Sequence, residues 1–201
     1  MSREMTLSQA AFGPSTLLKQ AALVIAGSAL IAIAAQIRVP MFPVPMTLQT
    51  LAILLVGFTY GSRLGAATVL AYLAEGAAGL PVFTGALPGA VAFVGPTVGF
   101  LVGFVGMAWL AGFAAERGLA RGVVGTAISA IVISALLYLP GLAWPMALGA
   151  PFGIEAGWVG LSFDSALAGF VTPFLVGDVV KALIAALVVS GAWAVMGRKS
   201  A

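Results

Sequence analysis

The chain of 201 residues has no cysteine and no histidine, and only 7% of it is charged. Without cysteine there is no disulfide and no thiolate. Without histidine the commonest metal ligand and the commonest general base are missing too, so no metal site is expected. The phosphate-gripping pattern Gly-x-x-x-x-Gly-Lys-[Ser/Thr] does not occur, and any ATP-driven step must come from another chain. No Ser-His pairing can form, and no pair of in-membrane aspartates is present, which removes the usual intramembrane hydrolases. An enzyme is therefore not expected, and no residue is assigned a catalytic role. Before the first apolar block there is no short hydrophobic region with a small-residue cleavage site, so no signal peptide is read and that block is retained.

What the chain does have is apolar residues, 62% of the total, with a mean hydropathy of +1.15. That composition is that of an integral membrane protein. The apolar residues fall into six blocks: Ala21 to Ile37, Leu48 to Tyr60, Leu64 to Leu80, Thr97 to Ala115, Val123 to Leu139 and Phe170 to Met196. Each reads as a helix, because in lipid every backbone group has to be bonded internally. The expected fold is one all-α transmembrane domain over residues 1–201, a bundle of six helices with re-entrant or lid-like outer loops. The second and third blocks are the ones in question: at about 1.5 Å per residue the second covers about 20 Å of a core about 30 Å thick, so its helix should extend further or end in a buried loop, and four spans is the alternative to six.

Lysine and arginine set the orientation. Arg3 and Lys19 precede the first block, Arg63 follows the second, Arg117 and Arg121 follow the fourth, and Arg198 with Lys199 follow the sixth. With six spans all of these share one side, while the other side holds only Arg38 with Glu155 and Asp164. The positive-inside rule then places both termini in the cytoplasm of a bacterial-type cell membrane. The net charge of +3 is accounted for by short loops facing an anionic leaflet, and no nucleic-acid partner is expected.

Three outer loops have unusual content. Arg38 to Met46 carries three prolines that prevent a continuous helix, with large apolar residues between them. Gly79 to Pro96 combines Leu80, Val82 and Phe83 with several glycines, and Gly149 to Gly169 holds Trp158 and Phe163. Segments of this kind are expected to fold back over a cavity. Small residues recur four apart: Gly95, Gly99 and Gly103 read as internal packing, and Ala22 with Ala26 form a stripe that could serve a partner.

Asp178 and Lys181 lie in the middle of the last block. A charge at the bilayer centre costs about 2.5 to 3.5 kcal/mol, so such residues normally face a protein interior or polar cavity. Their i, i+3 spacing puts them on one helix face, where they either neutralise each other or grip two ends of one bound molecule. Glu75, near the outer end of the third block, either pairs with Arg38 or sits in water.

Several segments resemble the biotin-specific substrate-binding subunits, the BioY family, of energy-coupling-factor transporters. They are Pro43-Val-Pro-Met-Thr-Leu-Gln-Thr-Leu-Ala52, Tyr60-Gly-Ser-Arg-Leu-Gly65, Gly79-Leu-Pro-Val-Phe83, Gly95-Pro-Thr-Val-Gly-Phe100, and Thr172-Pro-Phe with Gly177-Asp-Val-Val-Lys181. Val98 and Phe100 depart from the family pattern. The resemblance implies a six-helix subunit that binds biotin from outside and works with a transmembrane coupling protein and two cytoplasmic ATPase subunits, with no cofactor of its own. Biotin has a ureido ring system, a thioether ring and an acyl chain ending in a carboxylate, so its site needs polar groups at two ends and apolar walls between.

On that reading Lys181 is the candidate partner of the carboxylate, and Asp178 either accepts from the ureido N–H groups or holds Lys181 in place. Gln49 and Thr47 are further candidates for the ureido group. Phe42, Met46, Tyr72 and Phe83 would supply apolar walls, and the family resemblance makes Ala22 and Ala26 the docking stripe for the coupling protein. The competing reading is a stand-alone, proton-coupled transporter of a small carboxylate-bearing vitamin. Against it stand the single ionisable pair deep in a block and the lack of an inverted repeat between the halves.

Overall fold

Threonine side chains open the first two helices. In the computed structural model, which describes residues 5–13, 16–87 and 89–199, Thr6 and Gln9 cap each other reciprocally at the start of α1 (Leu7–Phe12). Thr16 caps α2 (Leu17–Gln36), a helix of 20 residues, or about 30 Å. Arg3 lies outside the described residues. The prolines after α2 produce a hairpin: β1 (Arg38–Val39) pairs antiparallel with β2 (Met46–Thr47), Arg38 opposite Thr47 and Val39 opposite Met46. Its proline-rich tip contains a cis Phe42–Pro43 peptide.

The chain then enters α3 (Gln49–Tyr60) and reverses into α4 (Ser62–Ala77) at Gly61, whose φ of 88° only glycine adopts without strain. The second outer loop holds a 3₁₀ turn over Thr84–Ala86 and the short α5 (Gly89–Ala92). Next come α6 (Val98–Glu116) and α7 (Val123–Ala143), the latter passing through Pro140 and ending in a π turn over Trp144–Leu148. After the third outer loop follow α8 (Phe163–Phe170), a 3₁₀ turn over Thr172–Phe174, and α9 (Leu175–Lys199).

Helix α6 is the centre of the bundle, packed against α3, α4 and α7. Small residues make that approach close. A Cβ on Gly57 of α3 would fall 2.6 Å from the Ala108 carbonyl oxygen, and one on Gly103 would fall 2.7 Å from Leu137 and Pro140. The packing role expected for the glycines of α6 is therefore met at Gly99 and Gly103, which both face α7. At the far end of α6 the buried Glu116 accepts hydrogen bonds of 2.8 Å from both the backbone N–H and the hydroxyl of Ser62, tying the α3–α4 turn to the bundle.

Four helical stretches are long and apolar enough to cross a membrane: Leu17–Gln36, Val98–Glu116, Val123–Leu148 and Phe163–Met196. The 12 residues of α3 and 16 of α4 reach about 18 and 24 Å, less than the hydrocarbon thickness.

Two expectations need correction. The last apolar block, Phe170 to Met196, is one helix only from Leu175 onward. Phe170 closes α8, Val171 leaves helical geometry at φ −126° and ψ −62°, and Pro173, having no N–H to donate, opens the turn into α9. Asp178 and Lys181 thus lie in the first two turns of α9, at its end nearest the β1–β2 hairpin, rather than in the middle of a helix. Their helix terminus also favours the Asp178 carboxylate through the positive end of the helix dipole. Glu75 does not pair with Arg38; its carboxylate accepts from Ser28 of α2 at 2.8 Å.

Candidate functional site

A cavity of about 540 Å³ lies between the β1–β2 hairpin, the loop that follows α4, and the ends of α3, α6, α7 and α9 nearest them. The local sequence explains its shape. The prolines hold the hairpin out of the helical bundle, and the Val171–Phe174 break lets α9 begin at the cavity wall. Phe100, Leu101 and Phe104 of α6, Leu137 of α7 and Phe174 supply apolar wall, with Met41, Val44 and Met46 closing over from the hairpin.

Two polar groups are set into these walls. In the first, Lys181 Nζ lies 2.8 Å from Asp178 Oδ1 and donates to Thr50 Oγ1, also at 2.8 Å, while the Tyr138 hydroxyl donates to the other Asp178 oxygen. Lys181 is only 6% exposed, so its charge is compensated inside the protein. Three helices, α3, α7 and α9, meet in this network. Of the three N–H donors on the ammonium group two are engaged, which leaves one for a ligand.

In the second group, Gln49 Oε1 accepts from the hydroxyls of Thr47 (3.1 Å) and Thr84 (3.0 Å), and Gln49 Nε2 donates to the Tyr72 hydroxyl at 2.8 Å. Tyr72 in turn donates to the Val82 carbonyl. The amide is therefore oriented from both ends, and one of its two N–H bonds stays available. Gln49 and Thr50 are consecutive on α3, so that helix brings one member of each polar group to the cavity.

Of the residues expected from sequence, Asp178, Lys181, Gln49, Thr47, Met46 and Phe83 all line the cavity. Phe42 does not: at the tip of the hairpin it is 92% exposed, because the turn at Pro43 points it away from the bundle. Tyr72 is fully buried behind the wall, where its ring meets Phe83 edge-on at 5.4 Å and its hydroxyl holds Gln49; it supports the site and forms none of its surface. Ala22 and Ala26 are remote from the cavity and exposed on α2, whereas Gly27 and Ser28 beside them face into the bundle.

Thr50, Tyr138 and Thr84 were not found by sequence reasoning. Thr50 adjoins Gln49 and could have been tried; Tyr138 stands as the one tyrosine in an apolar helix, a weak signal by itself. Trp144, which no motif singled out, donates its indole N–H to the Gly95 carbonyl at 3.0 Å and so fixes the chain entering α6.

A helical membrane bundle with an apolar-walled cavity, bordered by the hairpin and the loop after α4 and furnished with a few oriented polar groups, defines a membrane-embedded binder of a small amphipathic molecule. The chain belongs to the BioY family, whose model matches residues 3–198. A biotin transporter BioY of Rhizobium etli is 37% identical over 72% of this chain and 75% of its own length. A probable biotin transporter BioY of Pyrococcus horikoshii is 35% identical, covering 85% of this chain and 93% of that one. Among solved structures, the S-component for biotin from an ECF-type ABC transporter superposes with a TM-score of 0.69 at 26% identity, covering 89% of this chain and 94% of that one. As a member of a transporter family, the chain is not an enzyme.

Proposed function

We propose that the chain is the biotin-binding subunit, the S component, of an energy-coupling-factor importer, capturing biotin from outside and releasing it inward when coupled to an ATPase module. The carrying observation is the cavity itself, with Asp178, Lys181 and Gln49 presenting acceptor and donors between apolar walls. A ureido ring offers a carbonyl acceptor flanked by two N–H donors. Asp178 accepts from an N–H, and the unused N–H groups of Lys181 and Gln49 reach the carbonyl. The thioether ring and acyl chain then lie against Phe100, Phe104, Met46 and Phe174.

This differs from a carboxylate held by Lys181 alone, and the reason is electrostatic. Lys181 is already neutralised by Asp178, so the pair as a whole brings no net charge to an anion. Thr47 and Thr84 keep the Gln49 amide in register, and Phe83 closes the wall beside it.

In this reading α2, α3, α4, α6, α7 and α9 are the six spans, and both termini face the cytoplasm, where Lys19, Arg63, Arg117 and Arg121 gather. The partners are a transmembrane coupling protein and two cytoplasmic ATPase subunits, with Ala22 and Ala26 as the docking stripe. A proton-coupled transporter working alone finds little support, since the acids of the helical bundle are separated: Asp178 in the cavity, Glu75 on Ser28 and Glu116 on Ser62.

Isothermal titration of the purified chain with biotin, thiamine and riboflavin tests the reading. Tight, saturable binding of biotin with no binding of the other two is expected, and binding of thiamine or riboflavin in preference to biotin overturns it.

A further inference from the structure

Three charged side chains line the cavity, and they do not balance. Asp178 and Lys181 cancel at 2.8 Å, which leaves the positive charge of Arg38. Among the described residues no carboxylate pairs with Arg38, and Glu75, the acid expected beside it, is taken by Ser28. The guanidinium has instead crossed from the hairpin to the loop after α4. A Cβ on Gly85 would fall 2.5 Å from Arg38 Nη1, which places the guanidinium beside that turn, and Gly85 stands at φ 70°, a backbone conformation that favours glycine.

The placement also runs against the charge rule that orients the chain. Apart from Lys181, which is paired inside the cavity, Arg38 is the only lysine or arginine read on the side of the outer loops, where basic residues are disfavoured. A lone exposed arginine can be solvated anywhere. Arg38 is itself exposed, yet it lines the apolar cavity, and from that position its guanidinium can reach a bound anion.

We infer that Arg38 is the anion subsite of this cavity: its guanidinium, lying beside the Gly85 turn at the mouth, receives the carboxylate of the ligand there. The inference rests on the biotin reading above and fixes the direction in which the molecule lies, ring system inward and acyl chain outward. A planar fork of N–H donors suits a carboxylate better than any other group the cavity offers.

The test compares biotin with biotin methyl ester, which has the same ring system and chain without the negative charge, on the purified full chain by isothermal titration. The unmodified chain should prefer biotin. In Arg38→Gln biotin affinity should fall by roughly tenfold to a hundredfold, the range of a charge-assisted hydrogen-bonded pair at a partly open site, while ester affinity stays unchanged and so shows that the variant is folded. Arg38→Lys should retain part of the preference. An Arg38→Gln chain that still prefers biotin over the ester overturns the assignment, as does an equal loss for both compounds, which would make Arg38 a structural tie between loops. If the unmodified chain binds neither compound, the biotin reading itself falls, a result distinguishable from the other two.

Discussion

Lys181 Nζ lies 2.8 Å from Asp178 Oδ1 one turn earlier on the same helix, and each partner is also held by a different helix, Lys181 by Thr50 of α3 and Asp178 by Tyr138 of α7. The pair therefore joins three helices at the cavity wall. Removing one member of a buried pair leaves an uncompensated charge, which typically costs about 3 to 5 kcal/mol, whereas replacing both is often close to neutral.

Lys181→Met should accordingly lower the thermal midpoint of the ligand-free protein and weaken biotin binding. Combining it with Asp178→Asn should restore much of the stability without restoring binding. Thermal unfolding in detergent, followed by biotin titration at a temperature where all variants are folded, checks both. A single Lys181→Met variant as stable as the unmodified protein would show that the pair contributes nothing to holding the helices.

Gln49 is aimed by Tyr72, a residue that does not touch the cavity. Tyr72→Phe removes the acceptor for one amide N–H of a buried glutamine, and an unsatisfied buried polar group costs about 1 to 3 kcal/mol. The ring contact with Phe83 is kept, so the expected outcome is a folded protein with biotin affinity reduced about tenfold, one decade per 1.4 kcal/mol. Titration measures the affinity, and affinity equal to that of the unmodified chain would mean the ligand does not depend on Gln49.

The aromatic residues separate what the sequence makes legible from what it does not. The membrane class, the polar pair of α9 and the motif around Gln49 are all visible in the chain, because each is a local departure from an apolar background. Whether Phe42 faces the cavity or solvent depends on the path of a proline-rich turn, and that is a tertiary property. The turn over Thr172–Phe174 that delays the start of α9 to Leu175 was likewise hidden, since an apolar run looks the same in a turn or a helix. Tyr138 reaches Asp178 from 40 residues away, and no spacing within either helix announces it.

Phe42→Ala should therefore leave biotin affinity within about twofold, an effect below 0.5 kcal/mol. Phe174→Ala, which removes cavity wall next to α9, should weaken binding by about tenfold or more through lost apolar contact. Parallel titrations decide it, and the reverse ranking would mean that the hairpin tip turns inward when biotin binds.

Orientation is testable because the chain has no cysteine. Ser62 is a poor reporter, being buried against Glu116, but Arg63 beside it is exposed, as is Glu155 in the third outer loop. Arg63→Cys should react with a membrane-impermeant maleimide only in inverted vesicles, and Glu155→Cys only in intact cells. Reaction of Arg63→Cys from outside intact cells would show that α3 and α4 do not cross as a pair, and their lengths of 12 and 16 residues make them the place where the six-span arrangement is most exposed to failure.

The last prediction concerns how capture and energy input are separated along α2. Its buried side, Gly27, Ser28, Ile31, Ala34 and Ala35, packs into the bundle, and a Cβ on Gly27 would meet the Thr68 methyl at 2.6 Å. Ala22 and Ala26 point the other way and are flanked by Leu18 and Ile25, both exposed. Small side chains there contribute nothing to internal packing, yet they let another helix approach closely. Replacing both alanines with Trp should leave biotin affinity of the isolated subunit within about twofold of the unmodified chain, because no cavity wall is altered. The same variant should fail to co-purify with a coupling protein and its ATPases and should lose ATP-dependent uptake of labelled biotin. Impaired binding in the isolated variant would mean that this face of α2 packs within the subunit. Normal uptake would place the docking surface elsewhere, and uptake that persists after every ATPase partner is deleted would return the chain to the class of transporters that work alone.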